Sequence, residues 1–267
     1  MRRAIAPVLE GALLESVEIR DPRLVRPFDP SIVADALVGE RVGGVGRRGK
    51  YLIVGFESGR SLLIHLRMTG SLRHAPSGTL ADDPYMRAVL RLDNGSDVGY
   101  RDVRRFGTWE LFEPDELAPY LAARLGPEPL GPFSAARLGK RLDGRRAPLK
   151  SALLDQRTVA GLGNIYVDEA LWRSRLHPLR VAGSLDRDEL GALYRAVRTV
   201  LRKGIERQGS TLRDYAMPDG AYGTMQDEFR AYGRGGEPCD RCGRPLTRIV
   251  VGGRTTTFCE HCQTLPR

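Results

Sequence analysis

Lysine is scarce in this chain. Of 42 basic residues only Lys50, Lys140, Lys150 and Lys203 are lysines. Arginine keeps its proton under all ordinary conditions and lysine does not, so each of these four is a candidate for chemistry that arginine cannot do. Cysteine is equally sparse: all four lie between positions 239 and 262, which excludes a disulfide framework spread through the chain. The four histidines (His65, His74, His177, His261) fall in no triad spacing, and Cys/His or Ser/His/Asp catalysis has little support. No apolar run approaches the ~18 residues of a membrane-spanning helix. The apolar run behind Arg2-Arg3 is too short for a signal peptide. There are no internal repeats, which argues against a solenoid or propeller. Acid is in deficit: 33 acidic residues leave a net charge of +9, which points to a polyanionic partner.

What is present is concentrated at the C-terminus. Cys239-Asp-Arg-Cys242 and Cys259-Glu-His-Cys262 are separated by residues 243–258. Two C-x-x-C knuckles at that spacing read as a tetrathiolate zinc site. A redox pair or unrelated buried thiols is the alternative, and His261 is a substitute ligand less simple than four thiolates. Between the knuckles, the β-prone runs 246–251 and 255–258 flank Gly252-Gly253, which predicts a hairpin whose turn carries Arg254.

Upstream, residues 2–14 read as a helix with Ile5, Val8, Leu9 and Leu13 near one face, starting without a capping residue. Short β-type runs follow at 16–20, 51–56, 61–66, 88–92 and 108–112, with turn signals at 57–59 and 93–95 and a loop at 76–84. Frequent short strands of this kind suggest an antiparallel sandwich or barrel. After residue 114 the pattern becomes helical: 115–124, then a Pro- and Gly-rich break at 125–132 taken as a domain boundary, then 134–142, 149–156, 164–173 and 186–207. Residues 209–237 read as irregular and Gly-rich.

Four stretches carry chemistry. Gly46-Arg-Arg-Gly-Lys50 puts a lysine at the root of a strand, suited to a phosphate or simply exposed. His65-Leu-Arg-Met68-Thr-Gly70 ends a strand on a methionine that is either core or a wedge between bases. Tyr100-Arg-Asp-Val-Arg104-Arg-Phe106 combines guanidinium groups with rings, the pairing used against phosphates and unpaired bases; a solvated basic loop is the alternative. Gly161-Leu-Gly163-Asn164 joins two helices, with Asn164 able to cap the second and expose backbone N–H groups to a phosphate, or to form a joint with no ligand.

Together with Leu125-Gly-Pro-Glu-Pro-Leu130, Gln208-Gly-Ser-Thr-Leu-Arg-Asp214 and Tyr232-Gly-Arg-Gly-Gly-Glu-Pro-Cys239, these stretches resemble the formamidopyrimidine-DNA glycosylase and endonuclease VIII family of base-excision repair enzymes over nearly the whole chain. The resemblance implies an α+β multidomain fold: an N-terminal β-sandwich (1–124), a helix–two-turn–helix domain with a lesion loop (125–232), and a four-cysteine zinc-finger β-hairpin (233–267). It implies one structural Zn2+ on Cys239, Cys242, Cys259 and Cys262. The partner implied is double-stranded DNA containing oxidised bases or abasic sites, bound by a monomer in the bacterial cytoplasm at the nucleoid and not at a membrane.

The resemblance also implies roles. Lys50 and Arg254 grip the phosphate at the lesion and serve catalysis. Met68, Arg104 and Phe106 fill the gap left by the flipped base and face its partner. Asn164 binds a phosphate, and Arg145 and Lys150 lie in a basic DNA-contact segment. Residues 213–226 close over the extruded base. The Met-Arg-Phe trio favours the branch acting on oxidised purines, with glycosylase and β,δ-elimination lyase activities. Flipping itself is required because the glycosidic bond is unreachable in a stacked duplex.

Two departures matter. Near Tyr85 the family offers a histidine to DNA, and Tyr85-Met-Arg87 stands there instead. The family also begins with a Pro-Glu-Leu-Pro-Glu segment whose proline amine attacks the sugar; here Met1-Arg-Arg-Ala-Ile-Ala-Pro aligns with a later stretch of the first helix. The expectation is a misplaced gene start, with a non-catalytic damaged-DNA-binding paralogue or a chain shortened by design as alternatives.

Overall fold

Alternating burial along short strands builds the first half of the chain. In the computed structural model, which describes residues 1–80, 82–211 and 216–266, the backbone divides into two units. Unit 1 comprises 1–121 with 210–224, and unit 2 comprises 122–209 with 225–267.

Unit 1 opens with helix α1 (Arg2–Leu9), strand β1 (Leu14–Ile19) and helix α2 (Pro30–Leu37). Strands β2 (Val42–Arg48), β3 (Tyr51–Phe56), β4 (Ser61–His65) and β8 (Thr108–Phe112) form one antiparallel sheet in that order. Strand β1 with β6 (Met86–Leu92), β7 (Ser96–Arg101) and β5 (Ser71–Pro76) forms the other. Both sheets feed one core. Leu52, Val54, Leu62, Ile64 and Trp109 come from the first, Leu72, Leu90, Val98 and Tyr100 from the second, and Ile5 and Leu9 from α1.

The helix expected over 2–14 ends at Leu9. Glu10 turns extended, Gly11 takes a left-handed φ of 83°, and Leu14 is already paired with Leu92. Strands β2, β5 and β7 were not expected. The glycines of β2 and Pro76 at the end of β5 depress β propensity, and sheet pairing overrides it.

In unit 2, helix α3 (Leu117–Arg124) crosses the boundary from unit 1. Helices α4 (Ala135–Leu142), α5 (Leu149–Leu154), α6 (Asn164–Ser174) and α7 (Arg187–Glu206) then pack on Leu138, Leu149, Leu153, Val167, Leu171, Leu193 and Val197. The capping box of Asp186 and Glu189 starts α7, a feature worth about 1 kcal/mol. Between α5 and α6 the chain makes two consecutive turns stapled by Gln156. Its amide donates to the carbonyls of Leu154 and Leu162, and its oxygen accepts from Gly161 N–H.

Strands β9 (Thr247–Val251) and β10 (Arg254–Phe258) form the hairpin. Gly252 and Gly253 have φ of 56° and 73°, the two-residue turn that matches strand twist. Arg254 is the first residue of β10, opposite Val251. The hairpin shares a unit with the helices, and residues 210–224 belong with the sheets.

Candidate functional site

Two groups of exposed side chains stand on buried polar anchors, one in each unit.

In unit 1, Met68, Arg104 and Phe106 converge. All three are exposed. Arg104 Nη1 lies 3.3 Å from Met68 Sδ, and its guanidinium sits 4.8 Å from the centre of the Phe106 ring. Beneath them lies the buried carboxylate of Asp102, which accepts from Thr69 Oγ1 and from the N–H groups of Arg104 (3.2 Å), Phe106 (2.9 Å) and Gly107 (2.8 Å). Tyr85 joins the same neighbourhood through its carbonyl, which accepts from Asp102 N–H. Its half-exposed ring faces the guanidinium groups of Arg101 (4.8 Å) and Arg87 (5.9 Å).

Lys50 is exposed in the β2–β3 turn. His65, stacked edge-on against Tyr51, is pushed down to about 4, mainly by burial and further by the charges of Arg67 and Lys50. It is therefore neutral at pH 7 and adds no positive charge to this end of the sheet.

In unit 2, Arg254 is exposed at the tip of the hairpin, and the next residue is pinned. The carbonyl of Thr255 accepts from Lys150 Nζ (2.9 Å) and Asn164 Nδ2 (3.0 Å). Lys150 Nζ also meets Asp168 Oδ1 at 2.6 Å, and Asp168 Oδ2 accepts from Thr257 N–H at 3.2 Å. Both charged groups are fully buried. Burial pushes the Asp168 carboxyl up to about 6 against the pull of Lys150, and burial likewise lowers Lys150. For each partner the cost of desolvation outweighs the attraction of the other.

Two expectations are corrected here. Lys150, read as a DNA contact, has no exposed surface, and its ammonium is spent on Asp168 and Thr255. It supports the hairpin from below. Asn164 does not cap α6: Gly163 is the N-cap, and the Asn164 side chain reaches across to the hairpin. Arg145 is half-buried and ion-paired at 3.0 Å with Asp155, at the start of the two turns.

Sequence reasoning missed Asp102 and Asp168. The one available signal was an acid embedded among apolar or basic neighbours. It also missed Glu169, which accepts from the N–H groups of Arg230, Ala231 and Tyr232 at 2.8–3.0 Å and fixes the approach to the first knuckle. Of the expected loop over 213–226, residues 213–215 lie outside the described residues. Farther along, His74 N–H donates to the Pro218 carbonyl and Arg73 to that of Met217.

The four cysteine sulfurs lie within 4.8 Å of one another, with Cys242 and Cys259 at 3.5 Å. Sulfurs about 2.3 Å from a tetrahedral zinc are about 3.8 Å apart, so the set fits one structural zinc ion. The first knuckle is tied to α6: Arg241 donates to the carbonyls of Trp172 (2.6 Å) and Arg173 (3.0 Å), and its guanidinium lies 3.9 Å from the Trp172 ring centre.

Three family models match the chain: the formamidopyrimidine-DNA glycosylase N-terminal domain over residues 1–109, the H2TH domain of the same enzyme over 125–216, and the zinc finger found in FPG and IleRS over 236–265. The formamidopyrimidine-DNA glycosylase of Heliobacterium modesticaldum is 45% identical over 267 residues, covering 98% of this chain and 96% of that protein. That of Bacillus subtilis is 41% identical over 269 residues, covering 99% and 96%. Among solved structures, the Lactococcus lactis Fpg in complex with abasic-site DNA superposes with a TM-score of 0.91 at 36% identity, covering 98% of this chain and 96% of that one. The MutM (Fpg) protein of Thermus thermophilus gives 0.87 at 42%, covering 100% and 97%. The exposed Met-Arg-Phe group, the two-turn joint and the four-sulfur hairpin are thus found in a chain that belongs to the formamidopyrimidine-DNA glycosylase family of DNA repair enzymes.

Proposed function

We propose that this protein excises oxidised purines, 8-oxoguanine and formamidopyrimidines, from duplex DNA and nicks the resulting abasic site by β,δ-elimination. The observation that carries the reading is the convergence of Met68, Arg104 and Phe106 on one exposed point. A flexible thioether, a guanidinium and a ring in contact suit the gap a flipped base leaves: two surfaces to stack on and a donor fork to read the orphaned partner. Lys50 and Arg254 supply the phosphate contacts, and Asn164, Arg145 and Tyr85 lie along the path of the DNA backbone. The protein acts as a monomer in the bacterial nucleoid. The relatives solved with abasic-site DNA and with Fapy-dG DNA support this substrate class.

In the family the attacking group is an N-terminal proline amine followed by a glutamate. The Pro-Glu-Leu-Pro-Glu segment is not among residues 1–267, so the test uses this sequence with that segment ahead of it. The second reading, a damaged-DNA binder without chemistry, draws on the same observation. Borohydride trapping on an 8-oxoguanine duplex separates them. A covalent adduct supports the enzyme. Tight lesion binding with no adduct supports the binder.

A further inference from the structure

Met68, Arg104 and Phe106 come from two segments far apart in sequence, and a single carboxylate joins them. Asp102 Oδ1 accepts from the hydroxyl of Thr69, the neighbour of Met68, and from Arg104 N–H. Its Oδ2 accepts from the N–H groups of Phe106 and Gly107. Thr69 Oγ1 itself accepts from Arg104 N–H at 3.2 Å, so the hydroxyl and the carboxylate share that donor. Asp102 and Thr69 are both buried, so these bonds are shielded from competing water.

Two further contacts fix the same platform. The segments lie directly on the buried Tyr100 hydroxyl: a Cβ at Gly70 would come within 2.3 Å of that oxygen, and one at Gly107 within 1.6 Å. Between Arg104 and Phe106, Arg105 adopts a left-handed φ of 59° and turns its guanidinium away to make two bonds to buried Asp21. The chain thus sends alternate side chains in opposite directions, Arg104 and Phe106 outward and Arg105 inward. The exposed trio is ordered before any ligand arrives, which lowers the entropy lost on insertion.

We infer that Asp102, with Thr69 acting through it, is a positioning residue that sets how the protein discriminates the base opposite the lesion. The inference rests on the wedge reading of Met68, Arg104 and Phe106 given above. An asparagine at 102 has one acceptor oxygen where the carboxylate has two, and its NH2 would face N–H donors. A valine at 69 keeps the shape and removes the tie, whereas a serine keeps the tie.

The test uses the full chain and a duplex carrying a tetrahydrofuran abasic analogue opposite 2-aminopurine, with matched duplexes bearing cytosine or adenine there, so no chemistry is needed. Phosphate contacts are untouched, so Asp102→Asn and Thr69→Val should bind within roughly threefold of the parent. They should lose at least about half of the fluorescence change on binding, and the ratio of their affinities for the cytosine and adenine duplexes should move toward one by roughly fivefold or more. Thr69→Ser should retain both. Arg104→Ala is the control: if it leaves fluorescence and preference unchanged, the wedge reading itself fails. If Arg104→Ala abolishes them while folded Thr69→Val and Asp102→Asn behave like the parent, the wedge stands and the positioning role of Asp102 is overturned. Should Asp102→Asn not fold, the Thr69→Val and Thr69→Ser pair decides.

Discussion

Arg104 in unit 1 and Arg254 in unit 2 are both exposed arginines beside a buried carboxylate, but the carboxylates are satisfied differently. Asp102 is met by three backbone N–H groups and a hydroxyl, none of which carries a charge. Asp168 is met by one backbone N–H and a buried ammonium. The first anchor is local, closed within a few residues of the side chains it orients, and calls on Thr69 alone from elsewhere. The second joins the consecutive helices α5 and α6 to β10, far along the chain, through an ion pair whose members each bear a desolvation cost. A preorganised tip needs no buried charge where the chain can fold back on its own amides, and needs it where separate elements must be registered.

Removing zinc should have the largest effect, and on one anchor only. Structural zinc contributes on the order of 10 kcal/mol to small zinc-finger folds. Chelation should abolish hydrogen-exchange protection across Thr247–Phe258 while the amides of Phe106 and Gly107 stay protected. Loss of protection at both sites would show that the two anchors are one cooperative system.

Next in size is Lys150→Met. It strands the Asp168 carboxylate, and breaking one half of a buried pair costs about 3–5 kcal/mol. Urea unfolding at neutral pH should show that loss, and Asp168→Asn added to it should recover a good part. If the double variant is no better than the single, the pair is not the source of the cost.

A smaller effect follows from titration. Because burial raises Asp168 to about 6, the native carboxyl takes up a proton between about pH 4 and 6 that the unfolded chain does not hold. Its contribution to stability is therefore greatest below that window and is lost as pH rises through about 6. The stability of the parent relative to Asp168→Asn should increase as pH is lowered from about 7.5 to about 5. A flat difference would mean that the carboxyl is not raised.

Arg254→Ala should have the smallest effect on folding and a defined one on binding. The log–log slope of affinity against salt should fall by roughly 0.9, one phosphate's worth. An unchanged slope would remove Arg254 from the phosphate contacts.

Much of this was legible in the sequence wherever the determinant is local. The cysteine spacing, the Gly252-Gly253 turn and the helix over 186–207 are set by residues a few positions apart and can be read before any packing is known. Anchors that depend on distant partners were not. Lys150 is expected at DNA only through the family resemblance, and its burial follows from Asp168 on the next helix and Thr255 far along the chain. Asn164 reads as a cap because it precedes a helix, yet a carbonyl 91 positions away claims its amide. Asp102 lies in a run of arginines that looks like a solvated loop; three of its donors are the amides just after it, and the fourth, Thr69, comes alongside only once β5 pairs with β7.

The contacts between Arg241 and the end of α6 bear on how this metal module could be moved to another protein. Trp172 holds the arginine face, the last carbonyls of the helix accept its protons, and Asn164 at the other end of the same helix holds the outgoing strand. The transferable piece is therefore not the four-cysteine hairpin alone. A graft would have to carry Leu149–Leu154 and Asn164–Ser174 with it, because without Lys150, Asn164 and Asp168 the sulfurs would still gather around a metal while the arginine at the tip would have no fixed direction to point.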